Sequence, residues 1–239
     1  MTDWQITTVI ADEWQSPTSR SLRLALSEPF DALPGQHIDI RLTAEDGYST
    51  ARTYSLSDVR ETRTVEVTIE KMPDGEVSPY LVDVIEVGEP LEISGPNGGW
   101  FTWNAADSSP VQLIAGGSGI APLMAMLRSR EVLAPATEFG LVYSVRSPDQ
   151  VYYATEFAQL SDHRRLDVYL AHTRIAPEGV NRPAVRLTAA ELSSWSIPPE
   201  RGPMVFICGP NGFVESCAAW MVQAGHSPNR IRTERFGGG

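Results

Sequence analysis

A glycine-rich segment contains the residues best suited to bind a phosphate group. Residues 115–122 read Ala-Gly-Gly-Ser-Gly-Ile-Ala-Pro, between an apolar stretch typical of a strand and a helical pattern. Gly116, Gly117 and Gly119 would let the backbone approach a pyrophosphate, whose charge the exposed amides and the helix dipole favour. Taken alone, the segment is also consistent with a tight strand-to-helix turn that binds nothing.

A second turn of the same kind contains Cys208, Gly209 and Pro210, again between a predicted strand and a predicted helix. In an open parallel sheet, ligands lie at the carboxyl ends of the strands, so we expect both turns to line one crevice. The alternative for Cys208 is an apolar core thiol, the usual environment of an unpaired cysteine.

One strand in the first half places an arginine and a tyrosine on the same face. In Arg52-Thr53-Tyr54-Ser55, alternation places Arg52 and Tyr54 on one face and Thr53 and Ser55 on the other. An ordinary strand with a surface arginine is the alternative interpretation.

Two turns in the same half complete the set of candidates. Residues 75–78 (Gly-Glu-Val-Ser) precede a short helix, for which the sequence predicts Ser78 as N-cap and Pro79 as the first helical residue. Residues 95–100 form a turn that ends in the aromatic Trp100.

The first half of the chain predicts an antiparallel six-stranded β-barrel with one helix. Alternating or β-branched stretches are separated by turn residues at the spacing of a barrel or sandwich. The predicted strands are Ile6–Ile10, Ser21–Leu26, Gln36–Leu42, Arg52–Ser57, Val65–Glu70 and Pro90–Ser94, and the predicted helix is Tyr80–Val84.

The second half predicts an α/β domain with a parallel sheet, because strand and helix patterns alternate. The predicted strands are Val111–Ala115, Glu138–Ser144, Leu166–Ala171, Met204–Cys208 and Arg230–Arg235, and the predicted helices are Pro122–Arg130, Thr155–Leu160, Thr188–Trp195 and Gly212–Ala224. The polar segment Asn104–Pro110 is the predicted linker. The expected domains are therefore residues 1–103 and 110–239.

Composition excludes several classes of protein. The 239 residues are 42% hydrophobic and 21% charged, which excludes disorder as the main state. The net charge of −11 argues against a nucleic-acid partner, and the 18 acidic and 7 basic side chains before residue 106 account for all of it. No apolar stretch approaches the roughly 20 residues of a membrane helix, and no secretory signal is present, so we expect a cytoplasmic protein without membrane attachment.

Metal sites are not expected either. Cys208 and Cys217 are the only cysteines, so the chain cannot build a disulfide framework or a four-cysteine metal or iron–sulfur site. The four histidines lie far apart in sequence and are interpreted as surface or structural residues.

The order of the motifs resembles the ferredoxin-NADP reductase superfamily, and within it the reductase components of oxygenases and other multi-component redox systems. The resemblance extends from about Ile6 to Phe236. The motifs are Arg-Thr-Tyr-Ser at 52–55, Gly-x-x-Ser at 75–78, Gly-Pro-x-Gly-x-aromatic at 95–100, Gly-Gly-x-Gly-Ile-Ala-Pro at 116–122, Cys-Gly-Pro at 208–210 and Glu-Arg-Phe at 234–236.

The resemblance implies an FAD site in the barrel, with the 95–100 turn favouring FAD over FMN. By this match Arg52 pairs with the flavin phosphate, Tyr54 packs along the flavin, and Ser55 is catalytic through a hydrogen bond near flavin N5. Val77 and Ser78 match the pyrophosphate ligands, and Trp100 matches the aromatic near the adenosine. Thr53, Ile69, Lys71 and Gly75 complete the expected FAD-binding set, although Lys71 at a strand end needs no ligand.

The resemblance also implies an NAD(P)H site in the second half. The expected ligands in the two turns are Gly116, Gly117, Ser118, Gly119, Pro122, Cys208, Gly209 and Pro210. Cys208, Glu234 and Phe236 match residues close to the reacting rings and are the remaining catalytic candidates. Phe236 is equally consistent with the hydrophobic end of the last strand.

The preference between NADPH and NADH depends on the end of the second parallel strand. An NAD-selective site places an acid there to bind the ribose 2′-hydroxyl, whereas Ser144 and Arg146 suit a 2′-phosphate. Arg174 is a second candidate for this phosphate, and a surface pair between Arg146 and Asp149 is the alternative. We therefore expect NADPH rather than NADH.

The chain departs from the oxygenase reductases in lacking the cysteines of their plant-type iron–sulfur domain. We therefore expect hydride transfer from NAD(P)H to FAD, and then single-electron transfer to a separate ferredoxin, haem protein or molybdenum enzyme. Two alternatives are a reductase of free flavin or of a ferric chelate, and a flavin subunit that relays electrons only inside a complex.

Overall fold

The computed structural model of the chain describes residues 4–160 and 166–236. It divides into two compact units. The first runs to Asn104 and includes Met124–Val132, and the second comprises Ala105–Leu123 and the chain from Leu133 onward. Met124–Val132 thus packs with the first unit, although the sequence places it inside the expected second domain, 110–239.

The first unit is a closed antiparallel barrel in the order β1-β2-β5-β4-β3-β6, which confirms the predicted six-stranded barrel. Its elements are β1 (Trp4–Ser16), β2 (Ser19–Leu26), β3 (His37–Thr43), β4 (Ser49–Asp58), β5 (Thr64–Glu70), β6 (Pro90–Asn97) and the helix α1 (Ser78–Asp83). Strand β1 is longer than predicted, because it continues past a register shift and pairs with β2 as far as Ser16.

The barrel core follows from the alternation of side chains along each strand. Every strand contributes buried apolar side chains to this core, and Leu81 and Val82 of α1 join them. The wholly buried strand residues include Val9, Leu22, Leu24, Ile38, Ile40, Leu56, Val67, Ile69 and Ile93.

The start of α1 differs from the prediction. Val77, not Ser78, is the N-cap, so Ser78 and Pro79 are the first two helical residues. The Ser78 hydroxyl, inside the helix, accepts a hydrogen bond of 3.0 Å from the backbone N–H of Met72. The hydroxyl therefore fastens the loop before the helix instead of its first turn.

The second unit is a five-stranded parallel sheet in the order β11-β10-β7-β8-β9, which confirms the predicted α/β class. Its strands are β7 (Val111–Gly116), β8 (Phe139–Val145), β9 (Leu166–His172), β10 (Met204–Pro210) and β11 (Ile231–Phe236). The helices of this half of the chain are α2 (Ile120–Leu133), α3 (Ala154–Leu160), α4 (Ala189–Ser194) and α5 (Asn211–Gln223). Residues 124–132 of α2 belong to the first unit. Every residue of β7 and β8 is buried, as expected of strands covered on both faces.

The structure also bears on the predicted linker, the histidines and the predicted absence of a membrane helix. The predicted linker, Asn104–Pro110, contains neither helix nor strand. Burial lowers the pKa of His37, His172 and His226, whereas His163 lies outside the described residues. None of the helices in the described parts of the chain is long and apolar enough to cross a membrane.

A polar network ties the loop after β9 to α4. Thr188 and Glu191 form a capping box at the start of the helix. The Glu191 carboxylate also accepts hydrogen bonds from Arg182 and from the Tyr169 hydroxyl, and Arg182 donates to the carbonyl of His172 at 2.5 Å. One carboxylate thus holds both ends of this loop.

We expect Glu191→Gln to lower the Tm at pH 7, because the neutral amide loses the ion pair with Arg182 and keeps only one of the two acceptor oxygens. Arg182, opposed by burial, lowers the pKa of Glu191 from 4.5 to about 2. A carboxylate with a depressed pKa stabilises the fold above its ordinary pKa and loses that contribution as the pH falls through its folded value. In paired thermal melts, the difference from wild type should narrow between about pH 4.5 and about pH 2.

Glu215→Gln, at an exposed position on α5, is the matched control and should leave Tm unchanged at every pH. A Glu191→Gln difference that stays constant down to about pH 2 would show that this carboxylate does not supply the stabilisation.

Candidate functional site

Strand β4 passes from the surface into the barrel core and carries the predicted ligands along that path. Arg52 is exposed, Tyr54 is half-buried and Leu56 is wholly buried. The guanidinium of Arg52 is held by Thr50 Oγ1 at 3.1 Å and by the carbonyl of Ala51 at 2.7 Å. Both contacts are made by Nη1, and the side chain as a whole stays exposed.

The structure brings Arg52 next to the turn at residues 75–78. Nη2 of Arg52 lies 3.8 Å from Oε2 of Glu76, and both side chains are more than half exposed, at 55% and 56%. The Tyr48 hydroxyl contacts the same carboxylate at 3.3 Å. Exposed ion pairs of this kind stabilise a fold by less than about 1 kcal/mol. The guanidinium can therefore exchange Glu76 for a phosphate at little cost.

Neither Glu76 nor Tyr48 was predicted from the sequence as part of this site. Glu76 lies inside the Gly-x-x-Ser motif, and nothing in the neighbouring sequence indicates that this motif approaches Arg52. The two side chains meet because the turn lies next to β4 in the folded barrel.

The turn at residues 75–78 is tightly built. A Cβ on Gly75 would lie 2.9 Å from Ser78 Oγ and 3.2 Å from the Met72 carbonyl oxygen, so a larger residue would displace the turn. Val77 is wholly buried, and its side chain anchors the turn in the barrel core. Val77 can therefore offer a ligand only its backbone.

The three residues between Arg52 and Leu56 have different environments. Burial, opposed by the charge of Arg52, raises the pKa of Tyr54 to about 12, so its hydroxyl remains a hydrogen-bond donor at neutral pH. Thr53 is exposed, and its hydroxyl donates a hydrogen bond to Oδ1 of Asp39 at 2.5 Å. Ser55 is half-buried and pairs in register with His37 of β3.

Three other predicted flavin ligands have separate environments. Ile69 is wholly buried, so its side chain belongs to the barrel core. Lys71 pairs with Asp83 of α1, at 3.0 and 3.2 Å from the two carboxylate oxygens. Trp100 is 66% exposed and presents its ring at the surface.

In the second unit, the turns that follow β7 and β10 meet at the carboxyl edge of the sheet. The two strands are parallel neighbours, and the chain leaves β7 for β8 on the opposite side, so the turns flank the switch point of the sheet. A Cβ on Gly119 would lie 2.2 Å from the Cys208 carbonyl oxygen, which no side chain tolerates. The two predicted turns therefore form one continuous backbone surface.

The first turn has the conformation that its glycines permit. Gly117 has φ of 56° with open space at its Cβ position, and Gly117–Gly119 is a short 3-10 turn before α2. Helix α2 begins at Ile120, two residues before the predicted start, because this turn leads into it directly. Pro122 is buried within its first turn, and Ser118 is half-buried.

Phe213 is a component of this region that the sequence did not indicate. A Cβ on Gly116 would lie 2.7 Å from Cδ1 of Phe213, and one on Gly209 would lie 3.0 Å from the same atom. The aromatic ring of α5 thus packs against both glycine turns. A single aromatic residue in a helix is typical of core packing. Its position three residues after Cys-Gly-Pro could nevertheless have indicated that it lies next to this turn.

The predicted 2′-phosphate ligands lie at neighbouring strand ends. Ser144 is 8% exposed near the end of β8, and Arg146 and Arg174 are both exposed after β8 and β9. The backbone N–H of Arg174 donates to the carbonyl of Arg146 at 2.9 Å, so both arginines extend from one backbone junction. Within residues 4–160 and 166–236, Arg146 and Asp149 form no ion pair, so the predicted alternative is not observed.

The catalytic candidates of this unit lie on adjacent strands. Cys208 pairs in register with Glu234, and Pro210 pairs with Phe236. Cys208 is wholly buried, and burial, together with the charge of Glu234, raises its pKa well above the ordinary range. Cys208 is therefore a neutral thiol at physiological pH, and any role it has is as a packing or weakly donating group.

The side chains and turns described fit FAD in the first unit and a nicotinamide dinucleotide in the second. An exposed, weakly paired arginine beside a tight turn suits a phosphate, and a half-buried tyrosine on the same strand suits a planar ring. In the second unit, a turn that excludes any Cβ at Gly119 offers backbone amides at a parallel-sheet edge. An antiparallel barrel and an α/β unit with these features define a flavin- and nicotinamide-dependent oxidoreductase.

Comparison with known proteins gives the same result. The oxidoreductase FAD-binding domain family matches residues 7–102, and the oxidoreductase NAD-binding domain family matches residues 113–219. The chain therefore belongs to the ferredoxin-NADP reductase superfamily and is an NAD(P)H-dependent FAD reductase of the ferredoxin reductase type.

Individual relatives include two reductase components and one solved domain. The ferredoxin–NAD(P)+ reductase component of the naphthalene 1,2-dioxygenase system of Pseudomonas putida is 28% identical over 96% of this chain and 68% of the relative. The propane 2-monooxygenase reductase component of Rhodococcus jostii is 28% identical over 90% of this chain and 59% of the relative. The FAD/NAD-binding domain of nitric oxide dioxygenase from Vibrio cholerae is 26% identical, with a TM-score of 0.87 over 98% of this chain and 99% of that one.

We expect Gly119→Ala to weaken NADP+ binding by more than about tenfold, because the new methyl group would push the turns after β7 and β10 apart. Such overpacking typically costs about 1–3 kcal/mol, so Tm should also fall. Isothermal titration calorimetry and thermal melts would measure both effects.

Gly212→Ala is the matched control, because a Cβ there has no neighbour within 4 Å and Gly212 lies in α5. It should leave NADP+ binding unchanged. If Gly119→Ala binds NADP+ as tightly as Gly212→Ala does, the dinucleotide does not depend on this junction.

Proposed function

We propose that the protein oxidises NADPH through a bound FAD and delivers the electrons singly to a separate acceptor protein. The observation that carries the proposal is the exposed Arg52, which lies 3.8 Å from Glu76 at the tight 75–78 turn of the barrel. This arrangement provides a positive charge that is weakly paired and already oriented by Thr50 and Ala51. A flavin phosphate is the natural partner for such a group.

The proposed FAD ligands follow from this placement. Arg52 pairs with a phosphate oxygen, and the backbone at Val77 and Ser78 lies in the adjacent turn. Tyr54 supports the flavin ring with its half-buried face, and Trp100 offers an exposed ring to the adenosine. Ile69 and Lys71 contribute less directly, since one is in the core and the other is paired with Asp83.

The proposed NAD(P)H ligands lie at the carboxyl edge of the second unit. The backbone of Gly116–Gly119 binds the pyrophosphate, and Cys208–Pro210 lies beside the nicotinamide. Arg146 and Arg174 bind the ribose 2′-phosphate, and the buried Ser144 supports them. Two exposed arginines without a described acidic partner favour a phosphate over a ribose hydroxyl, which supports NADPH over NADH.

When bound, FAD accepts a hydride from the nicotinamide and releases the two electrons one at a time. The chain itself positions the reactants. Ser55 would donate a hydrogen bond from its hydroxyl at the reacting edge of a bound flavin, and a single positioned donor is worth about a hundredfold in rate. Cys208 supplies a neutral, buried surface, and Glu234 and Phe236 are the proposed acidic and aromatic residues close to the reacting rings.

The separate acceptor is proposed from the relatives that are reductase components of oxygenase systems. A ferredoxin or an oxygenase-type haem protein fits this role. The decisive experiment is to purify the protein, record whether FAD is retained through gel filtration, and follow bleaching of the flavin absorption band on adding NADPH without oxygen. Loss of all flavin, or an unbleached flavin, would contradict the proposal.

We expect Arg52→Ala to weaken FAD binding by about tenfold to a hundredfold, because a charge-assisted hydrogen bond of about 1.5–3 kcal/mol is removed. Fluorescence titration of the apoprotein with FAD would measure the dissociation constant. Arg23→Ala removes an arginine of the same barrel that pairs with Glu61 at the surface, and should leave FAD binding unchanged. Equal affinities in the two variants would place the phosphate elsewhere.

We expect Arg146→Ala to raise the KM for NADPH by about tenfold and the KM for NADH by less than about twofold, because only NADPH carries the 2′-phosphate. Steady-state kinetics with a ferric acceptor would measure both. Arg201→Ala, which removes an exposed arginine paired with Glu138, is the control and should change neither constant. A wild-type preference for NADH, or equal changes for both cofactors, would refute the assignment of Arg146.

A further inference from the structure

The pairing of β4 with β5 shifts register close to the proposed flavin site. Leu56 pairs with Val67, and Asp58 pairs with Glu66, so β4 has one more residue than β5 between these pairs. The additional residue is Ser57, and the arrangement is that of a β-bulge. Bulges bend a strand, increase its twist and re-aim the neighbouring side chains. This one lies two residues after Ser55.

A buried ion pair holds the bulge. Nη1 of Arg128, from α2, donates to the carbonyl of Ser57 at 3.1 Å and to Oε1 of Glu66 at 2.6 Å. The Ser57 hydroxyl donates to the same carboxylate oxygen at 2.8 Å. Both the carbonyl and the hydroxyl of the bulged residue are therefore bound by one charged pair, and all of these groups belong to the first unit.

This ion pair is largely buried. The Arg128 side chain is 9% exposed, the Glu66 side chain is 17% exposed, and Ser57 is wholly buried. Thr68 extends the network with a hydrogen bond of 3.3 Å to the Ser57 hydroxyl. Burying two charges costs several kcal/mol of solvation, so a buried pair is weak evidence for stability and better suited to specifying one geometry.

We infer that Arg128 and Glu66 are positioning residues for hydride transfer, which act by locking the bulge at Ser57 and thereby fixing the direction of Ser55. The inference rests on the proposed function only in giving Ser55 its place at the reacting edge of the flavin. Arg128 and Glu66 fix both polar groups of Ser57, Ser57 fixes the local twist of β4, and this twist sets where the Ser55 hydroxyl points.

The first test measures hydride transfer in FAD-loaded Arg128→Gln by stopped flow with saturating NADPH. The rate of flavin bleaching should fall by about tenfold to a hundredfold, as expected when a reacting group is misplaced by about 1 Å, with the KM for NADPH nearly unchanged. Glu66→Gln retains the side-chain shape and should slow the reaction in the same direction. If Arg128→Gln does not fold, the rate measured for Glu66→Gln provides the test.

The matched control is Arg20→Gln. Arg20 is as buried as Arg128, at 10%, and it also pairs with one carboxylate, that of Asp12. It donates to two backbone carbonyls, those of Ile85 at 2.8 Å and Val82 at 3.3 Å. It belongs to the same barrel but does not contact the bulge. It should lower Tm by a similar amount and leave the bleaching rate of the loaded protein unchanged. Equal slowing in both arginine variants would mean that Arg128 acts only through stability, and would overturn the inference.

A readout without FAD tests the structural part. Hydrogen–deuterium exchange of the apoprotein should accelerate in β4 peptides covering residues 52–58 in Arg128→Gln and remain at the wild-type rate there in Arg20→Gln. Wild-type exchange of these peptides in Arg128→Gln would overturn the inference, because the bulge would then be independent of the ion pair.

A double-mutant cycle that combines Arg128→Gln with Ser55→Ala tests whether Arg128 acts through Ser55. If Arg128 acts through Ser55, the double variant should be no slower than the slower single variant. Fully additive effects would overturn the inference, as would a wild-type rate in Ser55→Ala. A wild-type protein that NADPH does not reduce defeats the proposed function as well. Normal reduction in wild type, Arg128→Gln and Glu66→Gln defeats this inference alone.

Discussion

The backbone of Gly119 lies against the carbonyl of Cys208 so closely that no side chain fits between them, and the second unit is organised by this contact. It joins the turns after β7 and β10, which belong to different crossovers of the sheet. Phe213 packs behind both turns, and the exposed arginines extend from the neighbouring strand ends. The proposed dinucleotide site depends on this proximity, because backbone amides at a sheet edge bind a phosphate only where no side chain covers them.

The barrel uses two arginines in opposite ways, and solvent exposure explains the difference. Arg52 is 55% exposed and lies 3.8 Å from its acidic neighbour, so water screens the pair and the charge remains available to a ligand. Arg128 is 9% exposed and lies 2.6 Å from Glu66, so its partner is fixed and the pair defines a strand geometry. Residue type alone does not distinguish an arginine that is available to a ligand from one fixed in a buried ion pair.

Sequence patterns were sufficient where the physical cause is local. Alternation along the first half gave the barrel strands, uninterrupted apolar stretches gave the parallel sheet, and glycines marked the two turns that meet at Gly119. They were insufficient where a partner comes from a distant segment. The Ser78 hydroxyl binds Met72 instead of capping α1, and Glu76 approaches Arg52 across the barrel surface. Arg128 reaches a bulge on strands far earlier in the chain, and no spacing in the sequence records that contact.

The two thiols of the chain, Cys208 and Cys217, are both buried, and burial raises the pKa of Cys217 to about 12. Thiolates are the species that react with oxidants and alkylating reagents, so both sulfurs are chemically silent while the native packing persists. Their reaction with a maleimide then reports the rate at which the β10 and α5 region opens, not the intrinsic reactivity of a cysteine. Burial of both sulfurs therefore protects the folded protein from cysteine oxidation.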